Sequence, residues 1–219
     1  MTKFDSVLFD LDGTLWDASD TTAESWARVL AAHPEAEPAV ALDAENLRRF
    51  MGLTNEELTE IVFPSLDFDT AFSLFEETCE IENSLLYERG GLLFEGVREL
   101  FETLTGVGIK LFIVSNCQAG YIESFLHAHG FEKYICDFES SGNSGKPKGE
   151  NIRDIVRRNG LCSPVFLGDT SSDSRGAAFA GVPFVYARYG LGESYGRGRV
   201  DKYDTAVDSP LELLRVMEV

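Results

Sequence analysis

Phe9-Asp10-Leu11-Asp12-Gly13-Thr14-Leu15 continues the apolar run Val7-Leu8 and ends it in a glycine-containing turn. Side chains at i and i+2 leave a strand on the same side, so Asp10 and Asp12 face one reaction space. One carboxylate can serve there as nucleophile and the other as proton carrier, a pairing suited to phosphoryl chemistry. An Asp-Gly turn also forms for purely local reasons, so the weight of this reading depends on what lies downstream.

Three further clusters follow. Ser115-Asn116 closes the apolar run Ile109 to Val114, Lys146 opens Lys-Pro-Lys-Gly-Glu, and Gly168-Asp169-Thr-Ser-Ser-Asp173 follows Val165-Phe166-Leu167. Each fits a strand end or an adjoining loop. In a parallel sheet the carboxyl ends of the strands share one edge, where open α/β sheets bind their ligands. The four clusters are therefore expected to meet in one crevice.

Periodicity supports that sheet. A first strand spans about Ser6 to Asp10, and helices alone are expected over Thr21 to Ala32, Ala44 to Met51, Thr54 to Phe63 and Thr70 to Glu88. Thr54-Asn-Glu-Glu57 has the form of a capping box. After Gly90-Gly91 helices and strands alternate: helices at 96 to 104, 121 to 129, 151 to 159 and 173 to 180, strands at 109 to 114, 135 to 138, 165 to 167 and 184 to 187. Such alternation implies a Rossmann-like parallel sheet with helices on both faces. The expected organisation is an α/β core of residues 1–15 and 90–219 with an all-helical cap, residues 16–89, inserted beside the aspartate pair. A cap there can close over substrate and exclude water. The glycine-rich segment Tyr189 to Arg199 does not fit G-x-G-x-x-G and is expected to be a mobile loop near the site.

The chain has 219 residues, 44% of them hydrophobic, enough for a sizeable core, and carries a formal charge of -18. That charge argues against a nucleic-acid partner, which calls for clustered Lys and Arg, and favours a small phosphorylated metabolite. No apolar run approaches a membrane span and the start enters a strand directly, so no membrane contact and a cytoplasmic location are expected, as monomer or homodimer. Cys79, Cys117, Cys136 and Cys162 are too scattered for a zinc site or disulfide framework. His33, His127 and His129 fall in or near helices and read as structural.

The order Asp-x-Asp-Gly-Thr, Ser-Asn, Lys, Gly-Asp-x-x-x-Asp resembles the haloacid dehalogenase superfamily of aspartate-nucleophile phosphatases, over about Phe4 to Tyr189. The helical insert places the resemblance in the class related to phosphoglycolate phosphatase and β-phosphoglucomutase. Asp12 argues against a metal-independent dehalogenase, which usually lacks that second aspartate. Gly149 and the stretch Phe94-Glu-Gly96 lack prolines frequent in the family, which blurs the subfamily.

The resemblance implies Mg²⁺ as cofactor, held by Asp10 and Asp169 and the Asp12 backbone carbonyl, with Asp173 reaching the metal through water or holding Asp169 in place. Asp10 becomes the phosphorylated nucleophile and Asp12 the general acid and base. Thr14, Ser115 and the amides around Asn116 are expected to bind the phosphoryl oxygens, the latter as a helix start. Lys146 is expected to neutralise the transferring group, on the likeness of Lys-Pro followed by Glu150, with Lys148 as its competitor. Arg48, Arg49, Asn55 and the loop around Gly52 are candidates for contacts to the rest of the substrate, and Trp16 for a lid contact or a hinge. The expected activity is Mg²⁺-dependent hydrolysis of phosphate monoesters. A phosphomutase or phosphotransferase of the same fold and a non-catalytic phosphate-binding module are the alternatives.

Overall fold

A computed structural model describes residues 4–50, 53–195 and 200–219. The expected helix end at Met51, the loop around Gly52 and residues 196–199 of the glycine-rich segment lie outside the described residues.

The first half of the chain runs β1 (Ser6–Phe9), β2 (Trp16–Asp17), α1 (Ser19–Ala32), α2 (Ala44–Phe50), α3 (Asn55–Val62), α4 (Phe68–Arg89) and β3 (Leu92–Leu93). The second runs α5 (Val97–Gly106), β4 (Lys110–Ser115), α6 (Tyr121–His129), β5 (Ile135–Ser140), α7 (Ser141–Ser144), α8 (Lys148–Arg158), β6 (Pro164–Gly168), α9 (Ser171–Ala180), β7 (Phe184–Ala187) and β8 (Thr205–Val207). A 3-10 turn at Pro210–Glu212 and α10 (Leu213–Met217) close the chain. Among the described residues no helix is long and apolar enough to cross a membrane.

Six strands form one sheet in the order β5-β4-β1-β6-β7-β8, every pair parallel. All four residues of β1 are buried, as a strand covered on both faces requires. Its period-two alternation divides the interior. Val7 and Phe9 pack with Leu111, Ile113, Val165 and Leu167 under α5, α6 and α10, whereas Leu8 packs with Phe112, Val114 and Phe166 under α8 and α9. Phe9 pairs with Ile113 on one side and Leu167 on the other, so the residues that follow these three strands emerge side by side.

Helices α1 to α4 bury an apolar cluster of their own, with Trp26, Val29, Val62, Phe63, Leu74 and Phe75 at its centre. Two short antiparallel strands pin the ends of this stretch: Trp16 pairs with Leu93 and Asp17 with Leu92. They are two residues long, too short to leave a periodic signal. The capping box at Thr54 is present, with Thr54 Oγ1 accepting from the Glu57 amide and the Glu57 carboxylate from the Thr54 amide.

Candidate active site

Asp10 follows β1 directly and is buried, its amide donating to the Leu167 carbonyl at 2.8 Å. The chain then folds tightly: the Leu15 amide donates to Leu11 and the Gly13 amide to Trp16. Gly13 has φ +80°, and a Cβ there would sit 2.4 Å from Asp169 Oδ2. Only glycine satisfies both conditions.

Three carboxylates, Asp10, Asp169 and Asp173, converge with ligand atoms within 4.8 Å of one another. Lys148 Nζ bridges two of them, at 2.6 Å from Asp10 Oδ1 and 2.6 Å from Asp173 Oδ1. Asp173 Oδ2 accepts from the Thr170 amide and hydroxyl, so the capping box of α9 fixes its orientation. Asp169 is held by the Thr14 hydroxyl at 3.1 Å and the Gly192 amide at 2.7 Å. Residues 189–195 are thus partly built into the site, where a mobile loop was expected: Tyr189 donates to the Thr14 carbonyl, and a Cβ on Gly190 would lie 2.3 Å from Asp169 Cβ.

The structure brings Lys148, not Lys146, to the aspartates. Lys148 is 4% exposed at its side chain, whereas Lys146 is 47% exposed and pairs with Asp154 at 2.7 Å. The reason is the start of α8, three residues before the expected one, with Pro147 at its N-cap and Lys148 at its first position. Thr14 differs too, since its hydroxyl is committed to Asp169 instead of a substrate oxygen. Ser115 and Asn116 line the pocket over Asp10, but α6 begins only at Tyr121, behind Gly120, so their amides do not form a helix start. The Ser115 hydroxyl accepts from the Cys117 amide at 3.3 Å, which leaves its proton for an oxygen in that pocket, and Asn116 Oδ1 accepts from Ser141.

Asp12 has a different environment. Its Oδ1 accepts from Trp16 Nε1 at 2.9 Å and from the Tyr121 hydroxyl at 2.7 Å. Trp16 packs edge-on against Tyr121 and Phe125, which fixes the indole that orients the carboxylate. Tyr121 carries no motif signal that singles it out. Burial pushes the Asp12 carboxyl up to about 6, against the bonds from Tyr121 and Trp16.

Burial, with Asp173 nearby, also raises Asp10 despite Lys148, and burial followed by Asp10 and Asp173 raises Asp169. Burial alone would lower the Lys148 ammonium, yet Asp10 and Asp173 outweigh it and keep it charged. Three buried carboxylates against one ammonium leave an excess of negative charge, which a hard cation would offset. The all-oxygen donor set of Asp10, Asp169 and Asp173 fits a divalent ion of that type.

Across the pocket stand Trp26, Leu47, Phe50, Leu58, Phe75 and Asn55 from α1 to α4. Arg48 pairs with Asp17 at 2.7 Å and Arg49 with Glu45 at 3.0 Å, and neither lines the pocket. Half-buried Cys117 does line it, and burial followed by Asp12 pushes its thiol well up, which disfavours the reactive thiolate. His33 pairs with Glu77, His127 stacks on Tyr87, and His129 lies against Phe125 and Phe131. None of the three lines it.

A family model described as haloacid dehalogenase-like hydrolase matches residues 7–187. The chain belongs to that family. Within it the enzyme is a phosphatase of the class resembling phosphoglycolate phosphatase. It is 27% identical over 199 residues to a 5'-nucleotidase of Pseudomonas aeruginosa, covering 87% of this chain and 85% of that protein. It is 27% identical over 217 residues to a phosphoglycolate phosphatase of Xylella fastidiosa, covering 96% and 91%. A crystal structure of a predicted phosphoglycolate phosphatase from Haemophilus somnus superposes with a TM-score of 0.81 at 21% identity, covering 99% of each chain. At that identity the superposition speaks for the fold.

Proposed function

We infer that this phosphatase hydrolyses small phosphate monoesters through a phosphorylated Asp10, with Mg²⁺ held by Asp10, Asp169, Asp173 and the Asp12 backbone carbonyl. The observation that carries the reading is Lys148 Nζ seated between Asp10 and Asp173 at 2.6 Å from each, a buried cation at the proposed point of transfer. When bound, the metal would supply positive charge for the transferring oxygens and for the carboxylates that surround it.

The chain's own residues account for the rest. Lys148 fixes Asp10 and draws it toward the ionised form against burial and Asp173, and it neutralises charge as it spreads over the phosphoryl oxygens. Asp10 attacks phosphorus, and the bond from phosphorus to the ester oxygen breaks. Asp12, whose raised pKa suits a group that must carry a proton near neutrality, gives that proton to the departing oxygen. It then takes one from the water that attacks the aspartyl-phosphate, and Asp10 is regenerated with release of phosphate. Ser115 and Asn116 orient the phosphoryl group. Residues 16–89 act as a cap over a core of 1–15 and 90–219, with β2 and β3 as the paired hinge.

The test is phosphate release from p-nitrophenyl phosphate with Mg²⁺ and after chelation, for the wild type and Asp10→Asn. Release that requires metal and disappears in the variant supports the reading. Release that survives chelation or the substitution overturns it.

A further inference from the structure

The pocket above Asp10 and Asp12 holds one more carboxylate, which the proposed chemistry does not use. Glu82 on α4 is 6% exposed and lines the cavity with Asp12, Thr22, Gln118 and Tyr121. Its two oxygens are held from two sides: Oε1 accepts from the Thr22 hydroxyl on α1, and Oε2 accepts from Gln118 Nε2, beyond β4, at 2.7 Å. A carboxylate has about four acceptor positions, so each oxygen keeps capacity for a further donor.

Among the described residues no cation pairs with it. Among the described residues that line this cavity there is no Lys, Arg or His. Lys148 is committed beneath it to Asp10 and Asp173, and Arg48 is turned to Asp17. The rest of the wall combines apolar Trp26, Leu47 and Phe75 with neutral polar side chains such as Asn55 and Thr78, and the cavity has a volume of about 100 Å³. A cavity of that size favours a compact leaving group over a bulky one. A second negative charge on that group would face Glu82 and Asp12 inside a protein-walled cavity, where like charges repel more than in bulk water.

We propose that Glu82 is a specificity-determining residue, selecting phosphate monoesters whose alcohol half is uncharged or carries an amine and rejecting those whose alcohol half carries a carboxylate. The proposal rests on the hydrolytic reading of the site. A hydroxyl or ammonium on the leaving group occupies the spare acceptor positions of Glu82, and it favours the ionised form that burial opposes. Phosphoglycolate, whose alcohol half bears a carboxylate, is accordingly a poor substrate for this enzyme, although several relatives are named for it.

The experiment compares 2-hydroxyethyl phosphate, 2-aminoethyl phosphate and 2-phosphoglycolate, three esters of two-carbon alcohols that differ in the terminal group. Phosphate release is measured for the wild type, Glu82→Gln and Glu82→Met, with p-nitrophenyl phosphate as a general probe. The wild type is expected to favour the better of the first two over phosphoglycolate by about tenfold or more in kcat/KM, and both variants to shrink that ratio about tenfold. Because the readout is a ratio, a uniform loss of activity does not imitate it, and the wild-type panel decides even if a variant fails to fold. Equal or faster turnover of phosphoglycolate by the wild type, or a ratio unmoved in both variants, overturns the proposal. Inertness of the wild type toward all three esters and p-nitrophenyl phosphate would instead strike the hydrolytic reading, and this proposal with it.

Discussion

The sheet edge and the helical wall that faces it border the same pocket on different terms. At the edge, Asp10, Asp169, Asp173 and Lys148 are each held by another buried group, and Thr14, Thr170 and Gly192 fix the geometry. The wall offers aromatic and aliphatic surface with a single carboxylate, Glu82, braced by Thr22 and Gln118. Charges that must meet a developing transition state are costly to reorganise, so they are set in advance on rigid strand ends. Selectivity between leaving groups needs only shape and one well-placed charge.

The largest effect should come from the sheet edge. Asp10→Asn is expected to lower kcat by about 10⁴-fold, as removal of a nucleophile does, with the fold retained by circular dichroism. Lys148→Ala should lower kcat by about 10²- to 10³-fold. Lys146→Ala should change kcat less than about twofold, since an exposed ion pair contributes little. Similar losses in both lysine variants would erase the distinction drawn between them. Tyr121→Phe removes one of the two bonds that hold Asp12 and should lower kcat by roughly tenfold, with the limb of the pH profile that reports Asp12 moved upward.

The last expected effect is on stability. With no metal bound, Asp12 keeps its proton up to about pH 6 and Asp10 is raised as well. From about pH 4, the ordinary carboxylate range, the folded chain therefore binds more protons than the unfolded one. The contribution of these groups falls as pH rises through that window. Mg²⁺ at 100-fold excess over its Kd should restore about 3 kcal/mol, seen as a melting-temperature increase of several degrees. The increase should be greater at pH 7 than at pH 5, and an increase greatest at acid pH would contradict the account of the carboxylate cluster.

The strands that carry the site were legible because they are wholly buried: Val7 to Phe9, Leu111 to Val114 and Val165 to Leu167 read as unbroken apolar runs. Asp10, Asp12, Ser115 and Asp169 then followed from their positions at strand ends. The short pairs β2 and β3, and β8 with three residues, lie below the length at which alternation can be detected. Lys148 was passed over because Lys146 matched the Lys-Pro pattern and the helix was expected from residue 151, while the chain already forms the first turn of α8 at Lys148. Glu82 was visible only as a polar position on a helix. Its place in the pocket depends on how α4 meets α1 and the segment after β4, which no local pattern encodes. The Gly190 and Gly192 contacts to Asp169 are hidden for the same reason, since glycine-rich sequence looks the same whether it packs against a partner or faces solvent.

The account turns on Asp10 accepting the phosphoryl group. The direct measurement is rapid acid quenching of the enzyme after mixing with a radiolabelled phosphate monoester and Mg²⁺, followed by peptide mapping. Label on the peptide that contains Asp10, absent from Asp10→Asn, is the predicted result. Phosphate release by the wild type with no labelled protein at any quench time, or label retained in Asp10→Asn, would contradict it.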